Sequence, residues 1–148
     1  FYGGFTQTAL ANQDGFLRSF FGLQEKQQRR TIMDYHRGRR RINELKNERT
    51  NTPVWHFVHT FAGDRFTGKI GVVFFDTKQE KKSMRIDVCV DGLAVEEASS
   101  PRSPMLRAEI SSPSFTTNLR FDRIQERAIV KAAVQQTKLE GDKLIAEL

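Results

Sequence analysis

The stretch "SMRIDVCVDG" (83–92) alternates without interruption. Met84, Ile86, Val88 and Val90 occupy one parity, and Arg85, Asp87, Cys89 and Asp91 the other. Successive side chains of a strand point to opposite faces, so this is a strand with one buried and one wet face. Its reading decides the fold, because the segments on either side then fall into place around a sheet. Upstream, "VWHFVHTF" (54–61) and "GKIGVVFF" (68–75) are rich in β-branched and aromatic residues and read as strands joined by a turn at Gly63-Asp64. Downstream, "LAVEEASSPRSP" (93–104) has the composition of a loop, and "MLRAEIS" (105–111) alternates again through Leu106, Ala108 and Ile110. The short spacings predict an antiparallel meander of about four strands over 54–111.

Helices flank this sheet. Residues 6–23 place Ala9, Leu10, Phe16, Leu17, Phe20 and Phe21 on one side of an amphipathic helix. Residues 31–48 carry a loose stripe of Ile32, Tyr35, Ile42 and Leu45, with Gly38 weakening the middle. A C-terminal helix is expected over 122–148, capped at Asp122 and broken or ended at Gly141, its apolar residues forming no clean stripe. The expectation is one α+β domain: N-terminal helices over 6–48 that include a basic helix, a small antiparallel sheet, and a C-terminal helix. A chain of 148 residues suits a single core.

Composition bounds the function. The chain is 38% hydrophobic and 28% charged, a globular balance. It holds 12 phenylalanines against two tyrosines and one tryptophan, enough for a buried core and a sticky surface. Net charge is +6, and all of it lies between Arg18 and Arg49, where ten Lys/Arg stand against four Asp/Glu. Local positive charge is a footprint for a negative partner. A single cysteine, Cys89, rules out an internal disulfide framework or a cysteine-based zinc site. The longest apolar runs are too short to span a bilayer. The chain opens on Phe1 rather than methionine, which leaves room for an upstream targeting peptide or membrane anchor.

Motifs that suggest chemistry fail on context. "GDRFTGKI" (63–70) approaches a phosphate-binding loop, but Ile70 stands where the magnesium-binding hydroxyl belongs, and a strand follows where a helix is required. His56 and His59 are three apart on one strand and point to opposite faces, a poor chelating pair. Asp87 and Asp91 beside Cys89 raise a thiol's pKa, the wrong direction for a nucleophile. Glu96-Glu97 has no designated partner carboxylate. No cofactor, metal or small-molecule substrate is expected, and an enzyme is not.

The arginines Arg37, Arg39, Arg40 and Arg41, four within five residues, are the candidate contact site. Glu44 stands four and three residues from Arg40 and Arg41, so a solvated, self-neutralised helix face is the bland reading. Nucleic acid, acidic protein and anionic lipid headgroups are the sharper ones. Phe16 and Phe20 are the apolar candidates for partner contact.

The order of elements resembles a mitochondrial family that includes a small accessory subunit of the presequence translocase and a related cytochrome c oxidase assembly factor. "FTQTALANQDGFLRSFFG" (5–22) is similar to the family's opening helix, "TPVWHFVHTFAGDRFTGKIGVVFF" (52–75) to its first hairpin, and "MRIDVCVDG" (84–92) to the next strand. The resemblance spans residues 5–110; the basic stretch 35–49 and the C-terminal helix have no assigned counterpart. It implies a non-catalytic accessory or assembly subunit of a mitochondrial inner-membrane, respiratory-chain complex, docking on other subunits. The alternative is an RNA-binding structural protein, such as a mitochondrial ribosome component.

Overall fold

The computed structural model describes residues 24–49, 54–74 and 83–148. The expected first helix over 6–23, with Phe16 and Phe20, lies outside these. The elements run α1 (Glu25–Glu48), β1 (His56–Gly63), β2 (Phe66–Val72), β3 (Met84–Val90), β4 (Leu93–Ser100), β5 (Leu106–Ser111) and α2 (Arg127–Glu147). The fold is α+β: two helices and a five-stranded, mostly antiparallel sheet in the order β1-β2-β5-β3-β4.

Two expectations about the sheet are corrected. The segment expected as a loop from 93 holds a full strand, β4, paired antiparallel with β3. Asp91 (φ 51°) and Gly92 (φ 79°) both take left-handed backbone conformations, forming the two-residue turn that suits a tight hairpin. The strand escapes a periodicity test because the ladder bulges between Val88 and Cys89. Leu93 and Val95 face the core before the bulge, and Ala98 and Ser100 oppose Ile86 and Met84 after it, so the buried parity changes mid-strand. The second correction follows from the first. β4 returns the chain to its starting end, so β5 runs parallel to β3 and inserts between β3 and β2. The sheet is therefore not a simple meander.

Helix α2 also begins later than expected. Asp122 does not cap it. Residues 115–126 form a hydrogen-bonded loop, in which Asn118 Oδ1 accepts from the Asp122 and Arg123 amides and the Glu126 carboxylate accepts from the Thr116 amide and hydroxyl. The helix starts after Glu126 and passes through Gly141 without a break. Its buried residues are Val130, Ala133, Thr137, Gly141 and Leu144, a regular 3–4–4–3 stripe. The stripe gives no clean apolar period in the sequence because three of its five members, Ala133, Thr137 and Gly141, are small or polar. Their small size lets the helix lie close to the sheet, with the Thr137 hydroxyl donating back to the Ala133 carbonyl at 2.7 Å.

The core lies between α2 and one face of the sheet, built from Ile70, Met84, Ile86, Val88, Leu106 and Ile110, all fully buried. Helix α1 packs against the β4 end and contributes only Gly38, Ile42 and Leu45 as buried residues. Ile32, expected on its buried stripe, is exposed. Gly38 is helical for a steric reason: a Cβ there would collide with the Leu119 carbonyl oxygen, so the 115–124 loop sits directly on the α1 backbone. Gly141 faces only the tips of Ile70, Leu106 and Met84, each at 3.5 Å from a hypothetical Cβ, an ordinary contact.

Helix propensity alone predicts that replacing either glycine by alanine stabilises the protein by about 0.5–1 kcal/mol. We expect this gain for Gly141→Ala. Gly38→Ala is expected to lose about 1–3 kcal/mol because the loop must move. Urea unfolding midpoints of the two variants, shifted in opposite directions, check this assignment.

Candidate functional site

The four clustered arginines separate into different roles. Arg41 turns inward: Nε donates to the Phe121 carbonyl at 2.8 Å and Nη2 to the Val95 carbonyl at 2.7 Å. It ties α1 to the 115–124 loop and to β4, and is a structural residue. Arg39 is half-buried and its Nη1 lies 3.4 Å from the Tyr35 hydroxyl. Arg37 and Arg40 are exposed.

Arg37 belongs to a larger assembly. The outer half of α1, before Gly38, buries no residue. At 100° per residue, Lys26, Arg30, Met33, Arg37 and Arg40 fall within about 80° of arc, over roughly 21 Å of helix. Lys26, Arg30, Met33 and Arg37 of this face, together with Arg29 and with Arg120 of the 115–124 loop, line an open groove of about 840 Å³, and Arg40 lies outside it. Glu25 and Asp34 also line it, and Glu25 pairs with Arg29 at 2.7 Å. Met33 is 56% exposed in its middle. Lys26, Arg29 and Arg30 were legible as basic residues of one segment, and helical spacing would have joined them to Arg37. Arg120 is distant in sequence and carries no such signal; the contact between Leu119 and Gly38 brings it in.

The opposite face of the sheet, expected to be wet at β3, is instead buried at Asp87, Cys89 and Arg107, and its charges are paired with one another. Asp87, nearly fully buried, accepts from Arg85 Nε at 2.9 Å and Arg107 Nη2 at 3.1 Å. Arg85 also approaches Glu97 at 3.6 Å, and Lys69 approaches Glu109 at 3.5 Å while lying 4.5 Å above the Trp55 ring. Among the described residues, three cations thus face three carboxylates on this face. Thr60, Thr67, Lys69, Glu109, Ser111 and Cys89 border a hollow of about 610 Å³ on this face.

The other residues weighed from the sequence have local partners. Gly63, Gly68 and Lys69 lie in the β1–β2 hairpin, as expected for a turn and not a phosphate loop. His56 lies against the Phe74 ring at 5.1 Å and His59 near Glu147 at 3.7 Å, with a bulge in the strand between the two histidines. Glu96 accepts from the Ile124 amide at 2.9 Å and from Arg127 Nη1, fixing the entry to α2. Among the described residues, no group of three or more His, Cys, Asp or Glu side chains is arranged to hold a metal ion. Burial pushes the Cys89 thiol up to about 12, reinforced by the Glu109 and Asp87 charges.

Comparison with known protein families and with curated proteins returns no match. Among the described residues, no helix is long and apolar enough to cross a membrane.

Two outcomes are expected from these geometries. Arg41→Ala should lose about 2–3 kcal/mol by orphaning two carbonyls, while Arg37→Ala and Arg40→Ala should stay within about 0.5 kcal/mol of the parent in chemical denaturation. Cys89 should react with a chromogenic disulfide at pH 8 at least about 100-fold more slowly in the folded than in the urea-unfolded protein. Keeping this thiol protonated contributes stability that is full below pH 9 and is lost as pH rises toward 12.

Proposed function

We propose that this domain is a non-catalytic accessory or assembly subunit of a mitochondrial inner-membrane complex of the respiratory chain, acting by protein–protein docking. The observation that carries the docking role is the outer half of α1. It extends past the last residue it buries, Gly38, and presents a basic face with an exposed methionine at its centre. A helix half that is basic along one side and, among the described residues, buries no side chain suits that surface to a partner. The mitochondrial setting rests on the resemblance of the β1–β2 hairpin and of β3 to the translocase-subunit and assembly-factor family.

The docked partner is a protein subunit, with anionic lipid headgroups reinforcing the contact where the complex meets the bilayer. Asp34 in the groove lining can accept hydrogen bonds, and a protein surface offers donors where a phosphate backbone offers none. RNA binding is the competing outcome, and salt separates the two. A docked subunit with an apolar component tolerates salt, whereas RNA binding weakens steeply as counterions are released.

The test is native electrophoresis of mild-detergent extracts from mitochondria carrying the tagged full chain. The chain should co-migrate with a respiratory-chain complex, and the variant Arg30→Glu/Arg37→Glu/Arg40→Glu should reduce that fraction at least about fivefold. Co-sedimentation with ribosomes that nuclease abolishes would overturn the proposal in favour of RNA binding.

A further inference from the structure

The exposed side of α1 follows a finer rule than one-sidedness. Lys26, Arg30, Met33, Arg37 and Arg40 follow one another at intervals of 4, 3, 4 and 3 residues, and all five are exposed. This is the spacing at which one helix keeps contact with a second helix laid along it. The seam they form lies roughly 125° around the helix axis from Gly38, Ile42 and Leu45, the residues that α1 buries. It is therefore clear of the domain's own packing.

The seam's chemistry is unusual. Paired helices place apolar residues at such positions. Here only the central one, Met33, is apolar, and the other four are cations. Off the seam, Arg29 is paired with Glu25 at 2.7 Å and Arg120 with Asp122 at 3.4 Å. Lys26, Arg30, Arg37 and Arg40 form no ion pair among the described residues. Asp34 lines the groove but lies about 80° from the seam.

We propose that this seam receives an acidic helix of the partner subunit, an inference that rests on the docking role of this surface. Carboxylates at the matching spacing face the four cations, and one aliphatic residue among them covers Met33. A seam of roughly 21 Å calls for about four turns of helix, some 15 residues. Arg30 and Arg37 stand about two turns apart on either side of Met33. Ionic contacts thus flank an apolar centre, and the charges set the register of the two helices.

Charge selects this occupant. A second copy would set cation against cation along the seam. Residues 1–23 carry one aspartate and one arginine and no other Lys, Arg, Asp or Glu; residues 75–82 carry three lysines against one aspartate and one glutamate. Neither segment offers surplus negative charge. A bilayer presents a plane, whereas Arg120 of the 115–124 loop stands beside the helix and makes the site a groove. A phosphate backbone offers Asp34 no hydrogen-bond donor.

The experiment is fluorescence anisotropy with the purified full chain and a labelled helical peptide of about 15 residues. The peptide carries four glutamates at the seam spacing around a central leucine, in an alanine–glutamine background. Its isomer has the same composition and charge, with the glutamates turned to the side opposite the leucine. The first peptide should bind with a dissociation constant on the order of 10 µM at about 150 mM salt. The isomer should bind at least about tenfold more weakly. Arg30→Glu/Arg37→Glu should weaken the first peptide at least about tenfold, and a peptide with lysines in place of the glutamates should bind that variant and not wild type. Both substituted positions are exposed, and circular dichroism confirms that the variant folds. Equal affinity for the two isomers overturns the proposal in favour of unspecific charge attraction. A lysine peptide that fails to bind the reversed variant also overturns it. Binding of a homopolymeric RNA or of phosphatidylglycerol vesicles without binding of the first peptide overturns it in favour of nucleic acid or lipid. Seam-specific peptide binding by a chain that does not co-migrate with a respiratory-chain complex supports the acidic helix and removes the mitochondrial setting. Co-migration without seam-specific peptide binding overturns the acidic helix alone.

Discussion

The register of this sheet depends on a buried carboxylate. Parallel pairing of β3 with β5 sets Arg85 directly beside Arg107 and Asp87 beside Glu109. Like charges in direct register repel, and either pair alone would oppose the alignment. Asp87 reverses the sign of the interaction by bonding both arginines, while Glu97 and Lys69 on the flanking strands neutralise the outer members. Removing Asp87 would leave Arg107 buried beside a second cation, the situation in which a broken ion pair is most damaging. A one-residue slip would turn this polar set into the apolar core and expose Ile86 and Ile110, so the network and the core specify the same alignment.

Small residues then decide how closely the helices approach. Ala133, Thr137 and Gly141 let α2 lie against the sheet, and Gly38 lets the 115–124 loop touch the α1 backbone. The loop contact has consequences for the candidate site. It sets Phe121 within reach of Arg41, and it carries Arg120 to the side of the basic helix face. Aromatic rings fill the gaps left by glycines in the β1–β2 hairpin: the Phe61 ring occupies the space over Gly68, and the Phe66 ring that over Gly63. Glycine acts in this chain as a contact surface as much as a turn residue.

The sequence is most legible where one physical requirement dominates. Strand β3 alternates because one face meets the core, and the β1–β2 hairpin is rich in β-branched and aromatic residues. The basic helix is visible as a run of like charge, although the true length of α1 is greater than its apolar stripe suggests. Legibility fails where two requirements overlap. In β4 the bulge exchanges buried and exposed parity, and Glu96 takes a capping role that looks like loop chemistry. In α2 the buried stripe is set by close approach, for which Thr and Gly serve as well as Leu. At 122–126, Asp122 has the chemistry of a helix cap but is held by Asn118.

The sequence by itself determined the class of fold, the apolar face of β3, and the concentration of positive charge in one helical segment, since periodicity and charge are properties of the chain read locally; the face expected to be wet at β3 is buried at Asp87 and Cys89. Only the tertiary structure decided that β5 enters between β2 and β3, that Arg41 is structural while Arg37 faces outward, and that Arg120 joins the basic groove. It alone set α1 beside β4 at one edge of the sheet and placed β1, paired with β2, at the other. These depend on which surfaces meet after the chain turns, and residues distant in sequence carry no local sign of one another.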